Sequence, residues 1–258
     1  MGKFDAEGVK RLERMYGSPA IVEQRARTRA ALVIRRGERG LDIGCGPGFL
    51  LCEMADEADT LVGIDASADM VEAARGRLKE NNLSGKIEVR VGNAARLDLP
   101  SSSFDFVTAV QVYLYVEDIG RALAEAARVL KPGGRLVIVD TDWDSCVWLT
   151  SDPGRNRRMI DGWTRQFAQP HLPPALPRLL ADAGLKLEAV ESFPVLNLHY
   201  DADSFSAGIV EMLPKIVSRL GIDPTEAAAW AADLRSRTGE GDYFFSVNRY
   251  LFRARRPA

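Results

Sequence analysis

Short apolar runs and stretches of helical period alternate along the first half of the chain. "RGLDI" (39–43), "TLVGI" (60–64), "KIEVRV" (86–91), "FDFVTAV" (104–110) and "RLVIVD" (135–140) are strand-length and rich in β-branched residues. Between them, "FLLCEMADEA" (49–58), "SADMVEAARGRLKENN" (67–82) and "IGRALAEAARVL" (119–130) repeat apolar positions every three to four residues. Ser67 is placed to cap the second helix, and "KPGG" ends the third with proline and glycine. Strand–helix alternation of this kind predicts parallel βαβ units. An amphipathic segment at about residues 6–35 precedes them and is expected to pack over one edge.

Beyond Asp140 the pattern changes. "DTDWDSCVW" (140–148) is expected to lead out of the sheet into a helix around 154–168. The second half of "QPHLPPALPRLLADAGL" (169–185) predicts a helix ended by Gly184, and 186–200 and 242–256 predict two more strands. The segments "SFSAGIVEMLPKIVSRL" and "PTEAAAWAADLRSR" predict a helical pair inserted between those strands, as part of a lid.

The 258 residues, 46% of them hydrophobic, suffice for one large α/β domain or a domain with a small cap. A net charge of −2 gives no electrostatic case for nucleic acid or an anionic membrane as partner. "RNRR" (155–158) and "RARR" (253–256) are short enough to be solvated faces. No apolar run approaches the ~18 residues of a membrane helix. "MGKFDAEGVK" lacks the apolar core of a secretory signal, and Ala6 stands where myristoylation needs Ser or Thr. Three cysteines form neither a disulfide framework nor a metal-ligand pattern. A cytosolic protein without a metal is expected.

The chemistry begins at "GLDIGCGPGFL" (40–50), where strand, glycine turn and helix are fused. Such a junction directs unpaired N–H groups at a ligand with no Cβ in the way. It suits a phosphate, a carboxylate or close approach of a nucleoside; a tight structural turn is the plainer reading. The dinucleotide pattern G-x-G-x-x-G fails at Phe49, and the phosphate-loop pattern is absent. Asp65 ends the second strand about 20 residues past the loop, where an acidic side chain accepts from ribose hydroxyls; capping the next helix is its alternative duty. Asn93 follows the third strand, where its amide suits an adenine edge or simply a turn.

Together, "LDIGCGPG" (41–48), "VGIDASADMVEAAR" (62–75), "GNAARLDLP" (92–100), "FDFVTAVQVYLYVED" (104–118) and "EAARVLKPGGRLVIVD" (125–140) resemble the class I S-adenosylmethionine-dependent methyltransferases. Their small-molecule branch, which includes the quinone-biosynthesis C-methyltransferases, is the nearest in pattern. The resemblance covers roughly residues 38–142 and fades to general topology beyond. It implies an α/β fold: a Rossmann-like, seven-stranded, mostly parallel sheet with its last strand antiparallel and helices on both faces, plus the helical lid. A single methyltransferase domain over 1–258 then divides into a helical cover (1–37), a cofactor-binding core (38–142), substrate-side lid elements (143–185 and 201–240) and the last strands (186–200 and 242–256).

The resemblance also implies roles. Asp42 orients the methionine ammonium through the loop, and Gly44, Cys45 and Gly46 let the backbone approach the methionine part. Asp65 binds both ribose hydroxyls, Ala66 and Met70 flank the adenine, and Asn93 and Ala94 read its edge. Val110 and Gln111 touch the amino and carboxylate groups. Family members often carry an acidic residue at the Asn93 position, a mild departure because Asn also accepts from an adenine amino group. Near the N-terminus, Tyr16, Gln24 and Arg25 are candidates to fold over the cofactor, Arg25 pairing with its carboxylate.

The acceptor should meet the ends of the fourth and fifth strands. Tyr113, Tyr115, Asp140, Asp142, Trp143 and Asp144 are the candidates there, with Tyr113 and Trp143 as an aromatic wall and Asp140 or Asp142 as an anchor for an amine or hydroxyl. A general base is required only if the acceptor loses a proton. His171 is the candidate base, against a plain role at the surface or as a helix cap; His199 reads as structural. Methyl transfer to O, N or C of a small, partly apolar acceptor is the expected activity, by a monomer or homodimer. A protein of this fold that binds S-adenosylmethionine without transferring methyl, by regulation, cyclisation or decarboxylation, is the alternative. A nicotinamide oxidoreductase is disfavoured at Phe49.

Overall fold

A computed structural model describes residues 14–239 and 241–258. Residues 6–13 of the expected N-terminal segment lie outside them. Seven strands form one sheet: β1 (Arg39–Ile43), β2 (Thr60–Asp65), β3 (Ile87–Val91), β4 (Phe104–Val110), β5 (Leu130–Trp148), β6 (Lys186–Asn197) and β7 (Phe245–Arg255). Their order is β3-β2-β1-β4-β5-β7-β6. β1 to β5 pair in parallel, and β7 runs antiparallel between β5 and β6. The order reverses between β1 and β4, which opens a crevice at their carboxyl ends.

On one face, α1 (Pro19–Leu32), α2 (Phe49–Met54) and α3 (Ala68–Glu80) cover a core that includes Leu51, Met54, Phe106 and Val137. On the other, α4 (Ile119–Val129) and α6 (Leu172–Asp182) pack on Val107, Leu136 and Ile138. Gly40 permits the close approach of β1 and β4, since a Cβ there would sit 2.1 Å from the Phe106 ring. The buried Arg135 ties the frame together, its guanidinium pairing with Glu38 at 2.5 Å and donating to the Leu32 carbonyl at 2.7 Å.

Three expectations shift. β5 does not stop at Asp140 but continues to Trp148, because β7 pairs with it past a register shift between Asp142 and Val147. α1 packs over β5 and β7, inside the sheet rather than at its edge. Its buried stripe is Ile21, Gln24, Arg25, Thr28 and Leu32, so the inward face has helical spacing but is largely polar. The segment 143–185 also divides: α5 (Pro153–Thr164) joins α7 (Phe205–Arg219) and α8 (Pro224–Ser236) around a second core of Trp148, Met159, Trp163, Leu213 and Trp230, while α6 lies on the sheet. The helical insertion between β6 and β7 is present as α7 and α8.

Candidate active site

Three glycines after β1 hold left-handed backbone, with φ of 69° at Gly44, 51° at Gly46 and 82° at Gly48. A Cβ on Gly44 would meet Val112 at 2.2 Å. The loop's donors are turned inward. Gly44 and Cys45 N–H both donate to the Ile64 carbonyl (2.6 and 3.0 Å), Gly46 N–H to Asp65 Oδ2 (2.9 Å) and Gly48 N–H to the Cys45 carbonyl (3.1 Å). The turn donors of Gly44, Cys45, Gly46 and Gly48 are therefore engaged within the protein. A phosphate needs those donors; an ammonium-bearing tail lying against the glycine faces does not. The local structure fits the amino-acid arm of S-adenosylmethionine better than a pyrophosphate.

Asp65 is held from two sides, by Gly46 N–H on Oδ2 and by Ser67 N–H on Oδ1 (2.8 Å). Each oxygen keeps a free lone pair, which suits the two hydroxyls of a ribose. Ser67 Oγ caps α3 by accepting from Met70 N–H, so Asp65 is released from that duty. Asp42 is buried behind the loop, and burial together with the Asp65 charge lifts its carboxyl well above the usual range. Burial, followed by the Asp42 and Asp65 charges, also pushes up the Cys45 thiol, which packs against the inner core. Ala66 is exposed beside Asp65 and Met70 is buried in the first turn of α3. Asn93 is exposed, with Oδ1 accepting from Ala95 N–H at 2.8 Å; Ala94 packs against the sheet's α4-side core.

Tyr16 stacks on Phe49, with ring centroids 5.3 Å apart and planes 6° from parallel. Its hydroxyl would touch a Cβ on Gly46 at 3.1 Å, so the ring lies over the glycine loop. Burial, reinforced by Asp65 and Asp42, pushes its pKa up to about 12. Arg25 spends its guanidinium on Glu53 (2.8 Å) and the Tyr16 carbonyl (2.7 Å), which fixes this cover in place. Val110 ends β4 against the inner core, and Gln111 follows at φ 58°, accepting from Thr141 Oγ1 at 2.6 Å.

At the end of β5, Asp140 is fully buried and neither carboxylate oxygen has a hydrogen-bond partner. Desolvation lifts its carboxyl well above the ordinary range, against the opposing Arg249 charge and the Tyr113 backbone N–H. The buried Tyr113 hydroxyl is likewise unpartnered and raised by burial and Asp140. Tyr115 is 47% exposed yet its hydroxyl titrates high through burial, Tyr16 and Asp140, as expected of a group lining a cleft. Its ring meets Phe167 edge-on at 5.2 Å, and Phe167 stacks on Trp143 at 5.9 Å. Asp142 is half-buried, its carboxyl raised chiefly by desolvation. His171 stands outside this cluster, with Nδ1 2.5 Å from Asp144 Oδ2 and both side chains more than half exposed. His199 is exposed beyond the end of β6.

Pattern reading missed Arg249. Val247, Arg249 and Leu251 alternate inward along β7, so the signal was an arginine in a row of buried positions. It donates to Thr141 and to Gln24 on α1.

Residues 41–138 match the family described as "Methyltransferase domain". The chain is 33% identical over 230 residues to an uncharacterized 37.1 kDa protein in transposon TN4556 of Streptomyces fradiae, covering 86% of this chain and 63% of that protein. It is 36% identical over 149 residues to the demethylmenaquinone methyltransferase of Listeria welshimeri, 57% of each chain. The chain thus spans less than two thirds of these relatives. Among solved structures, the YcgJ protein of Bacillus subtilis superposes with a TM-score of 0.67 at 19% identity, over 92% of this chain and 99% of that one. The [4+2]-cyclase SpnF does so with 0.63 at 25% identity, over 92% and 80%. The fold is shared with these solved structures, and residues 41–138 match the methyltransferase-domain family. The matched stretch runs from within β1 through β4 into the first part of β5; β6 and β7 lie outside it.

Proposed function

We propose that the chain transfers the methyl group of S-adenosylmethionine to O, N or C of a small, partly apolar acceptor. The observation that carries this reading is the Asp65 carboxylate, fixed by two backbone N–H groups at the mouth of the sheet with two lone pairs to spare. When bound, the cofactor supplies an electrophilic sulfonium methyl. Asp65 accepts from its ribose hydroxyls, Met70 and Ala66 flank its base, and Asn93 and Ala94 meet the base edge. Asp42, Gln111 and the faces of Gly44 and Gly46 receive its amino-acid arm. Tyr16, pinned by Arg25, excludes water from the glycine loop.

The chain's task is then alignment and exclusion of water. Trp143, Phe167 and Tyr115 wall the acceptor, and Tyr113 and Asp140 offer it unspent polar atoms. His171, oriented through Nδ1 by Asp144, keeps Nε2 free to take a proton, with Asp142 on the same strand as the second candidate. The net charge of −2 supports a free small molecule over a polyanion, and among the described residues no helix is long and apolar enough to cross a membrane. The proposal places this activity in the cytosol, in a monomer or homodimer.

Thermal shift tests the reading directly. S-adenosylhomocysteine should raise the melting temperature and NAD should not; a shift with NAD alone would overturn it. The likeness to a cyclase favours one second reading, a protein that binds the donor and does not use its methyl group. Labelled donor incubated with a metabolite extract separates the two: label appearing in an acceptor supports transfer, and binding without any labelled product supports the second.

A further inference from the structure

Three arginines are buried among the described residues: Arg25 at 5%, Arg135 at 7% and Arg249 at 2% exposure. The first two have carboxylates in contact, Glu53 at 2.8 Å and Glu38 at 2.5 Å. Arg249, the most buried, has none. Its Nε donates to Thr141 Oγ1 at 3.3 Å and its Nη1 to Gln24 Oε1, while its guanidinium lies 4.6 Å from the Phe205 ring centroid. All three partners are neutral, and Nη2 donates to nothing. Asp140 acts on it through space but makes no ion pair, and both Asp140 oxygens remain unbonded. Burial lowers the Arg249 pKa to about 9, which still leaves it charged at neutral pH. A guanidinium taken out of water is retained where an anion completes it.

Its position says which anion. Thr141 joins Arg249 to Gln111, the β4 end assigned to the donor's amino-acid arm. Arg249 itself comes from β7, on the far side of β5 from β4. Gln24 closes over it from α1 and Phe205 from α7. The guanidinium is planar and charged, and its Nη2 is left to donate to a carboxylate oxygen.

Resting on the methyl-transfer reading, we infer that the acceptor carries a carboxylate and that Arg249 binds it, beside the aromatic wall of Trp143, Phe167 and Tyr115. The donor's own methionine carboxylate is the other source of the same chemistry, and the test separates them.

The full chain, saturated with S-adenosylhomocysteine, is titrated by thermal shift and calorimetry with benzoate and with its neutral isostere benzamide. Benzoate should bind at least tenfold tighter than benzamide, and Arg249→Gln should erase that preference while S-adenosylhomocysteine affinity stays within twofold. Arg249→Lys, which keeps the charge without the fork, should retain a weakened preference and decides the matter if Arg249→Gln does not fold. Equal binding of benzoate and benzamide by the wild type overturns the inference. So does Arg249→Gln weakening S-adenosylhomocysteine but not 5′-methylthioadenosine, which lacks the amino-acid arm and would assign the arginine to the donor. Wild-type protein that binds no S-adenosylhomocysteine at all instead defeats the methyl-transfer reading, a separate result.

Discussion

Tyr16 lies flat on Phe49, 5.3 Å between ring centroids, and so roofs the glycine loop from the N-terminal side. A cover held by stacking and by Arg25 should work through its ring rather than its hydroxyl. Tyr16→Phe is therefore expected to bind S-adenosylhomocysteine as the wild type does. Tyr16→Ala should weaken it about tenfold, roughly 1.4 kcal/mol. Calorimetry that finds Tyr16→Ala binding unchanged or tighter would show that the ring obstructs the site.

Asp140 makes stability fall as pH rises. Its folded pKa lies well above the ordinary 3.8 because desolvation outweighs Arg249 and the Tyr113 N–H. The folded state therefore holds a proton that the unfolded chain has released, and stability declines from about pH 4 upward until the folded pKa is passed. Asp140→Asn removes its share of the dependence, while Asp42 and Asp142, also raised by burial, keep theirs. Melting curves from pH 5 to 8 should drop more steeply for the wild type than for Asp140→Asn; parallel profiles would contradict the assignment.

Glu38 acts with the opposite sign. Burial alone would raise its pKa, but the hydrogen bonds from Arg135 and the Arg35 N–H, with the Arg135 charge, hold it below 4.5. Its contribution is complete above about pH 4.5 and is lost as pH falls through the lowered value. Glu38→Gln leaves Arg135 buried without its counter-charge, at a cost of about 3–5 kcal/mol in chemical denaturation. A loss under 1 kcal/mol would remove the pair from the frame's supports.

The proposed base is His171, which is exposed, lies outside the aromatic cluster and has no part in the proposed donor site. His171→Ala should leave S-adenosylhomocysteine affinity unchanged and lower turnover of labelled donor by about 100-fold. Full turnover would dismiss it as base and leave its role as the residue that opens α6.

Local signals made much of this molecule legible. β1 to β4, the glycine loop, Asp65 and the Ser67 cap are each defined by a few neighbouring residues, and each stands where the sequence puts it. What was hidden depends on partners remote in the chain. "TDWDSC" looks like an exit from the sheet because of its carboxylates, and the strand resumes beyond it only because Val147 and Trp148 pair with Ser246 and Phe245, about a hundred residues later. The segment of α1 was legible as amphipathic, but not what its inward face does: Gln24 accepts from Arg249, and Arg25 donates to the Tyr16 carbonyl and to Glu53. The glycine pattern left a ligand's close approach and a tight turn both open, and its inward-turned N–H groups show in the folded loop alone.

Calorimetric titration of S-adenosylhomocysteine into wild type and Asp65→Ala tests the whole account most directly. Loss of two charge-assisted ribose hydrogen bonds should weaken binding by about 1–3 kcal/mol, on the order of 5- to 150-fold, with the melting temperature of the free protein little changed. Equal affinities would mean that the strand-end carboxylate does not hold the sugar, and the reading of this cleft as a methyl-donor site would fall.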